Sequence, residues 1–196
     1  MANMLRYLAL LNVGVWLGAA GFMFIVAYTI FTAPEMDAAM QSRSEKGLAG
    51  NIFFHRFYLM QYACAGAASL LLFLEWKIGK FDFPKWRFGL LTLISGLVLA
   101  GGLWLNPKLE ILFKQKYPEY FYADAMKDPN KVSQLKDDAK RAKAEHDKWH
   151  RISECGYGGA MLLLLFYFAA NCRQPPKGRS TRKPRQKVEF RLLPFR

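Results

Sequence analysis

Residues 7–33 read YLALLNVGVWLGAAGFMFIVAYTIFTA, an uncharged run in which Asn12 is the one strongly polar side chain. Wound as an α-helix at about 1.5 Å per residue, the run reaches about 40 Å, more than the ~30 Å hydrocarbon core of a bilayer. A secretory signal has an apolar core of only about 7 to 15 residues, so the reading is a retained membrane helix. Asn12 is expected to find its hydrogen bond on a neighbouring helix, as polar side chains do in lipid.

Three further apolar stretches follow, Phe57–Leu74, Phe88–Leu105 and Ile152–Ala170, separated by charged segments. An 18-residue helix measures about 27 Å and crosses once. The 53% hydrophobic content therefore lies in blocks, a pattern that excludes a single soluble core. The fold class is all-α: a four-helix transmembrane bundle with spans at about 7–33, 55–75, 87–106 and 152–171 of a membrane domain covering 1–171. Small residues recur in every span, among them Gly14, Gly18 and Gly21, then Gly66, then Gly96, Gly101 and Gly102, then Gly156, Gly158 and Gly159. They predict close helix approach, with Gly14 and Gly18 as an alternative homodimer face.

Threading four spans puts both termini and the connector Glu75–Arg87 on one side, the terminal side, and the other two connectors on the loop side. Lys and Arg number fourteen on each, so the positive-inside rule is indecisive. Loop-side cations are mixed with many more acids, and Arg6 precedes the first span whereas Glu35 and Asp37 follow it. The expectation is a bacterial cytoplasmic membrane protein with both termini cytoplasmic. Net charge is +13, much of it in 172–196, which holds nine Lys or Arg and four prolines. This tail is expected to be disordered and to meet anionic lipid headgroups. Nucleic acid is not an expected partner, because no recognition fold accompanies the charge. Cys64, Cys155 and Cys172 form neither a disulfide framework nor a thiolate metal motif.

Asn106 and Pro107 are expected to end the third helix, since proline lacks a donor and disfavours helix in the residue before it. In the connector beyond, the aromatics between Tyr117 and Tyr122 suit the membrane interface. Val132, Leu135, Ala139, Ala142, His146 and Trp149 then recur at steps of three and four, the face of an amphipathic helix over about 132–150. No breaker precedes Ile152, so that helix can run into the fourth span. It serves as a strut on the loop-side surface or lies on the interface with Trp149 as anchor.

All three histidines fall on the loop side. The candidate site is a polar cluster there, made of Glu35, His55, Arg56, Asn106, Lys108, His150, Ser153 and Glu154. Glu154, one turn into an apolar helix, needs a partner, and Arg56 is the expected one. His146, His150 and Glu154 at steps of four are the weak metal candidates, with His55 completing a set for a transition metal or haem; otherwise no cofactor is expected. No nucleophile with its base, phosphate loop or facing carboxylate pair is present, so the chain is not read as an enzyme.

Four ordered segments resemble the transmembrane protein 205-like family, a four-helix group of unknown function: Ile25 to Pro34, Phe53–Phe54–His55–Arg56–Phe57–Tyr58, Leu105–Asn106–Pro107–Lys108–Leu109–Glu110 and Trp149–His150–Arg151–Ile152–Ser153. The resemblance covers about 14–171 and departs from the family in a longer stretch between Phe113 and Glu145. It implies a multi-pass membrane protein without established catalytic residues. An animal member's association with platinum-drug resistance points loosely to transport or metal handling. The leading expectation is a scaffold or accessory subunit in a homo-oligomer or larger membrane complex; the alternative is a small transporter or metal-handling protein.

Overall fold

The computed structural model describes residues 2–79 and 85–173. The chain runs α1 (Ala2–Thr32), a short α2 (Pro34–Ala39), α3 (Arg43–Gly79), α4 (Lys85–Leu99), a π-helical turn (Ala100–Leu105), α5 (Asn106–Lys116), α6 (Pro118–Phe121), a 3₁₀ turn (Ala125–Lys127) and α7 (Pro129–Arg173). No strand occurs among the described residues. Four helical rods, α1, α3, α4 with its continuation through α5, and α7, are long and apolar enough to cross a membrane.

Each rod is apolar nearly all round within its span, so the buried stripe is set by packing. In α1 the buried positions include Leu5, Ala9, Val13, Trp16, Ala20 and Met23, a repeat of three and four that aligns one helix face, with Ile30 two turns further on. α3 answers with Phe57, Gln61, Cys64, Ala68 and Leu72, and α4 with Arg87, Leu91, Ile94 and Val98. Lipid is as apolar as leucine, so the association rests on fitted van der Waals contact and on interhelical hydrogen bonds. The latter are present through the bundle: Asn12 Nδ2 donates to the Cys64 carbonyl at 3.0 Å. Trp16 Nε1 donates to Gln61 Oε1, and the Tyr157 hydroxyl to the Ala20 carbonyl.

Pro107 does not end the third helix. The rod continues from Lys85 to Lys116 because the backbone winds wider over Ala100–Leu105, with the Asn106 amide donating to the Gly101 carbonyl. Pro107 then falls in the first turn of α5, where its missing N–H is not needed and its ring meets no preceding carbonyl of a regular α-turn. The same turn seats two tyrosines. A Cβ added to Gly102 would lie 2.7 Å from the Tyr58 ring and collide with the Tyr62 hydroxyl, and one added to Gly101 would lie 2.7 Å from the Tyr58 hydroxyl.

Small residues in every span do not all mediate helix contact. Gly18, Gly21, Gly66, Gly96, Gly156, Gly158 and Gly159 have open space where a side chain would be, and Gly14 only touches Phe168 at 3.9 Å. The close approaches fall instead at Gly101, Gly102 and Gly47, where a Cβ would strike the Phe113 ring. Motif spacing cannot separate a glycine under a neighbouring ring from one facing lipid.

Outside the spans, α7 is continuous from Pro129, so connector helix and fourth span are one rod. Its inward positions Val132, Leu135, Ala139, Ala142, His146 and Trp149 are buried or half-buried among exposed neighbours, on a helix that packs on α5, α6 and the 3₁₀ turn. The aromatics at 117–122 are partly engaged within the protein. Tyr117 and Phe121 pack edge-on to Phe113 at 5.1 and 5.8 Å, closing the turn between α5 and α7. α7 continues through Arg173, past the expected start of the basic tail at residue 172, and the remainder, 174–196, lies outside the described residues.

Candidate functional site: the loop-side cleft

At the loop-side end the rods separate above the packed core. The end of α1, α2, the outer half of α3, α5 and α7 enclose a cleft of about 520 Å³. On α3 the cleft is followed from Arg43 through Gly47, Gly50 and Phe54 down to Tyr58, about 22 Å of helix. On α5 it is followed from Lys116 through Phe113 and Leu109 to Asn106, and on α7 from His146 through His150 to Ser153. The spacings of three and four along each rod are what turn these side chains to one cavity.

The mouth is charged. Lys46, with its side chain only 8% exposed, is paired with Asp37 of α2. Lys116 donates to Asp147 Oδ1 at 2.9 Å and thereby ties α5 to α7. His146 Nδ1 lies 3.4 Å from the same carboxylate oxygen, and the His146 and His150 rings stack at 5.7 Å. Burial, followed by the Lys116 cation, pushes the His146 pKa below its ordinary 6.5, with the Asp147 carboxylate opposing. The Lys116 hydrogen bond in turn holds Asp147 below the usual carboxylate value. Deeper in, the walls are aromatic and apolar, with Phe31, Phe54, Leu109 and Phe113, and the floor carries the Tyr58, Asn106 and Ser153 side chains.

Of the residues picked out from sequence, Asn106, His146, His150 and Ser153 line this cleft, whereas Glu35, His55, Arg56, Lys108 and Glu154 do not. His55 and Arg56 are exposed on α3, and Glu35 is exposed on α2. The expected Arg56–Glu154 pair is not formed. Glu154 faces outward, 64% exposed, and meets its own-helix neighbour His150, Nε2 to Oε1 at 3.3 Å. A four-residue step places two side chains of one helix together more readily than residues of two helices whose exposed faces diverge. Lys108 instead lies over the Trp149 ring at 3.7 Å, with Trp104 edge-on to Trp149 at 5.3 Å. This cluster has the composition of an interfacial anchor. Among the described residues no group of three or more His, Cys, Asp or Glu is placed to hold a metal ion, so His146, His150 and Glu154 do not form a ligand set with His55.

Sequence reasoning missed the cleft's ion pairs, because Lys46, Asp37, Lys116 and Asp147 sit in charge-rich connectors where any of several pairings is possible. It also missed a second polar cluster at the opposite end. There Arg87, 4% exposed, meets Glu75 at 2.9 Å and hydrogen-bonds the Asn171 side-chain oxygen, while Arg6 donates to the Asn171 carbonyl at 3.2 Å. One residue from each of the four rods therefore converges there.

The sequence pattern of a family described as a domain of unknown function, DUF4149, matches residues 11–118. The chain belongs to this family. The DUF4149 match takes in α1 to α5 and so includes three of the four rods and the α1, α3 and α5 walls of the cleft. No curated protein and no solved structure matches the chain.

Proposed function

We propose that this DUF4149 protein is a non-enzymatic scaffold or accessory subunit of a membrane assembly, within the transmembrane protein 205-like group, with both termini on the cytoplasmic side of a bacterial cytoplasmic membrane. The observation that carries the reading is Glu154. Its carboxylate lies about 7.5 Å further into the membrane than Trp149, counted along α7, yet points away from the bundle. A lipid-facing carboxylate is costly, and the cost is removed when a partner helix covers it. The surrounding surface suits such a partner: Cys155 is exposed, and Gly158 and Gly159 have open space where close helix approach is possible. A homo-oligomer and a heteromeric membrane complex both fit this surface, and the basic tail adds attraction to anionic lipid headgroups.

The test is capture in native membranes by cross-linking through Cys155, compared with Gly158→Leu and Glu154→Leu. Neither substitution touches the bundle interior, so both variants fold. Loss of the cross-linked species is expected; an unchanged species, or a monomer with no captured partner in the unaltered protein, would sink the proposal.

The alternative, a small transporter or metal-handling protein, draws on the loop-side cleft with its two histidines. Below that cleft, Trp16, Val13, Ile94 and Tyr167 are almost fully buried and fill the bundle, which favours the scaffold reading. Metal uptake that falls on His146→Ala or His150→Ala would reverse the preference.

A further inference from the structure

The loop-side cleft has a charge and polarity order of its own. Three cations line it, Arg43, Lys46 and Lys116, against two carboxylates, Asp37 and Asp147, each already engaged by one lysine. The excess cation is Arg43, which is exposed on α3 and makes no ion pair among the described residues. Below this mouth the walls are Phe113, Leu109 and Phe54. Phe31 of α1 lines the cavity beside Gly50 and is itself 52% exposed at the end of the first span. The gradient thus runs from cations at the mouth to aromatic side chains along the walls. A plain anion would leave the aromatic half unfilled, and a neutral lipid would leave Arg43 unmatched. At about 520 Å³ the cavity falls inside the ~300–1,000 Å³ range of small-ligand sites.

We propose that the cleft binds one single-chain anionic amphiphile taken from the loop-side leaflet, its charged head at Arg43 and Lys116 and its chain along Phe54 and Phe31. The floor donors, Asn106 and Tyr58, are left free to hold water or a hydroxyl along the chain's polar edge. The partner surface around Glu154 lies on the outer side of α7 and adjoins the cleft at His150, which lines the cleft and pairs with Glu154.

The full chain in phosphatidylcholine nanodiscs tests this with four probes: oleate, lysophosphatidylglycerol, monooleoylglycerol and inorganic phosphate. One-to-one saturable binding of the two anionic chains is expected, at least ten-fold tighter than monooleoylglycerol, with no saturation by phosphate. Arg43→Gln and Lys116→Gln should each weaken oleate about five-fold, the effect of one cation near an anionic head. Asp147→Asn should tighten it, a change that a merely structural role for the carboxylate would not produce. Gly50→Leu, which fills the space beside Phe31 and alters no charge, should abolish chain binding while the helical signal is kept. Equal affinity for monooleoylglycerol, saturation by phosphate alone, competition by diacyl phosphatidylglycerol as strong as by oleate, or unaltered affinity in both cation variants would overturn the assignment.

Discussion

His146 is held neutral by its surroundings more than by its partners. Burial and the Lys116 cation both act against protonation, and the Asp147 carboxylate only partly offsets them. Because its folded pKa is lowered, its contribution to stability is intact above the ordinary value of 6.5 and is lost as pH falls below it. Asp147, shifted down as well, keeps its contribution until pH drops beneath the ordinary carboxylate value of 3.8. Replacing Lys116 by Met removes a cation that depresses the His146 pKa, so its ring resonances should titrate at higher pH in an NMR pH series; a midpoint that stays or falls would contradict the electrostatic account. At Gly102 the constraint is steric. A methyl group there meets the Tyr58 ring, so Gly102→Ala is expected to destabilise the bundle by about 1–3 kcal/mol, read from unfolding in detergent. Gly96→Ala, with nothing nearby, should be close to neutral.

At the scale of elements, the number of rods and their order are legible in hydropathy alone, because every span must satisfy its backbone internally and be apolar toward lipid. The amphipathic half of α7 is legible too, since there water marks the outer face. Within the spans water marks nothing, which is why the stripe through Val13, Trp16 and Ala20 cannot be told from its neighbours by composition. Gln61 is a useful exception: a lone amide in an apolar run points inward, and it meets Trp16. For the cleft, residues on α7 were accessible through helical spacing, whereas Lys46 and Arg43 depended on α3 starting some fourteen residues before its apolar stretch. Asn106–Pro107 misled because the pair is a stop signal in a regular α-helix and not after a π-turn. Deleting Ala100 should let the rod wind as plain α-helix up to Pro107, which then clashes with the carbonyl four residues before it. The expected result is lost helicity and loss of the α5–α7 contact, seen as increased amide exchange in α5.

Across the whole molecule, the two ends are tied differently. The loop-side end opens into the cleft, whereas the terminal end is drawn together by Arg87 between Glu75 and Asn171. Removing one member of a buried pair leaves the other charge uncompensated, a loss of about 3–5 kcal/mol. Arg87→Ala should therefore destabilise strongly, and Arg87→Met combined with Glu75→Gln should recover much of the loss in a double-mutant cycle. If the double variant is as unstable as Arg87→Ala, the pair is not what holds that end.

The unbroken length of α7 has a mechanical meaning. Its part outside the fourth span, 129–151, is about 34 Å long. A tilt of about 5° in the span moves its far tip by about 3 Å, as a stiff lever arm multiplies a small angle. Beside it the third rod carries the widened turn at Ala100–Leu105. Because Lys116 and Asp147 tie α5 to α7 and Phe113 packs on His146, the two outer arms are coupled, and a load on either tip is carried by both.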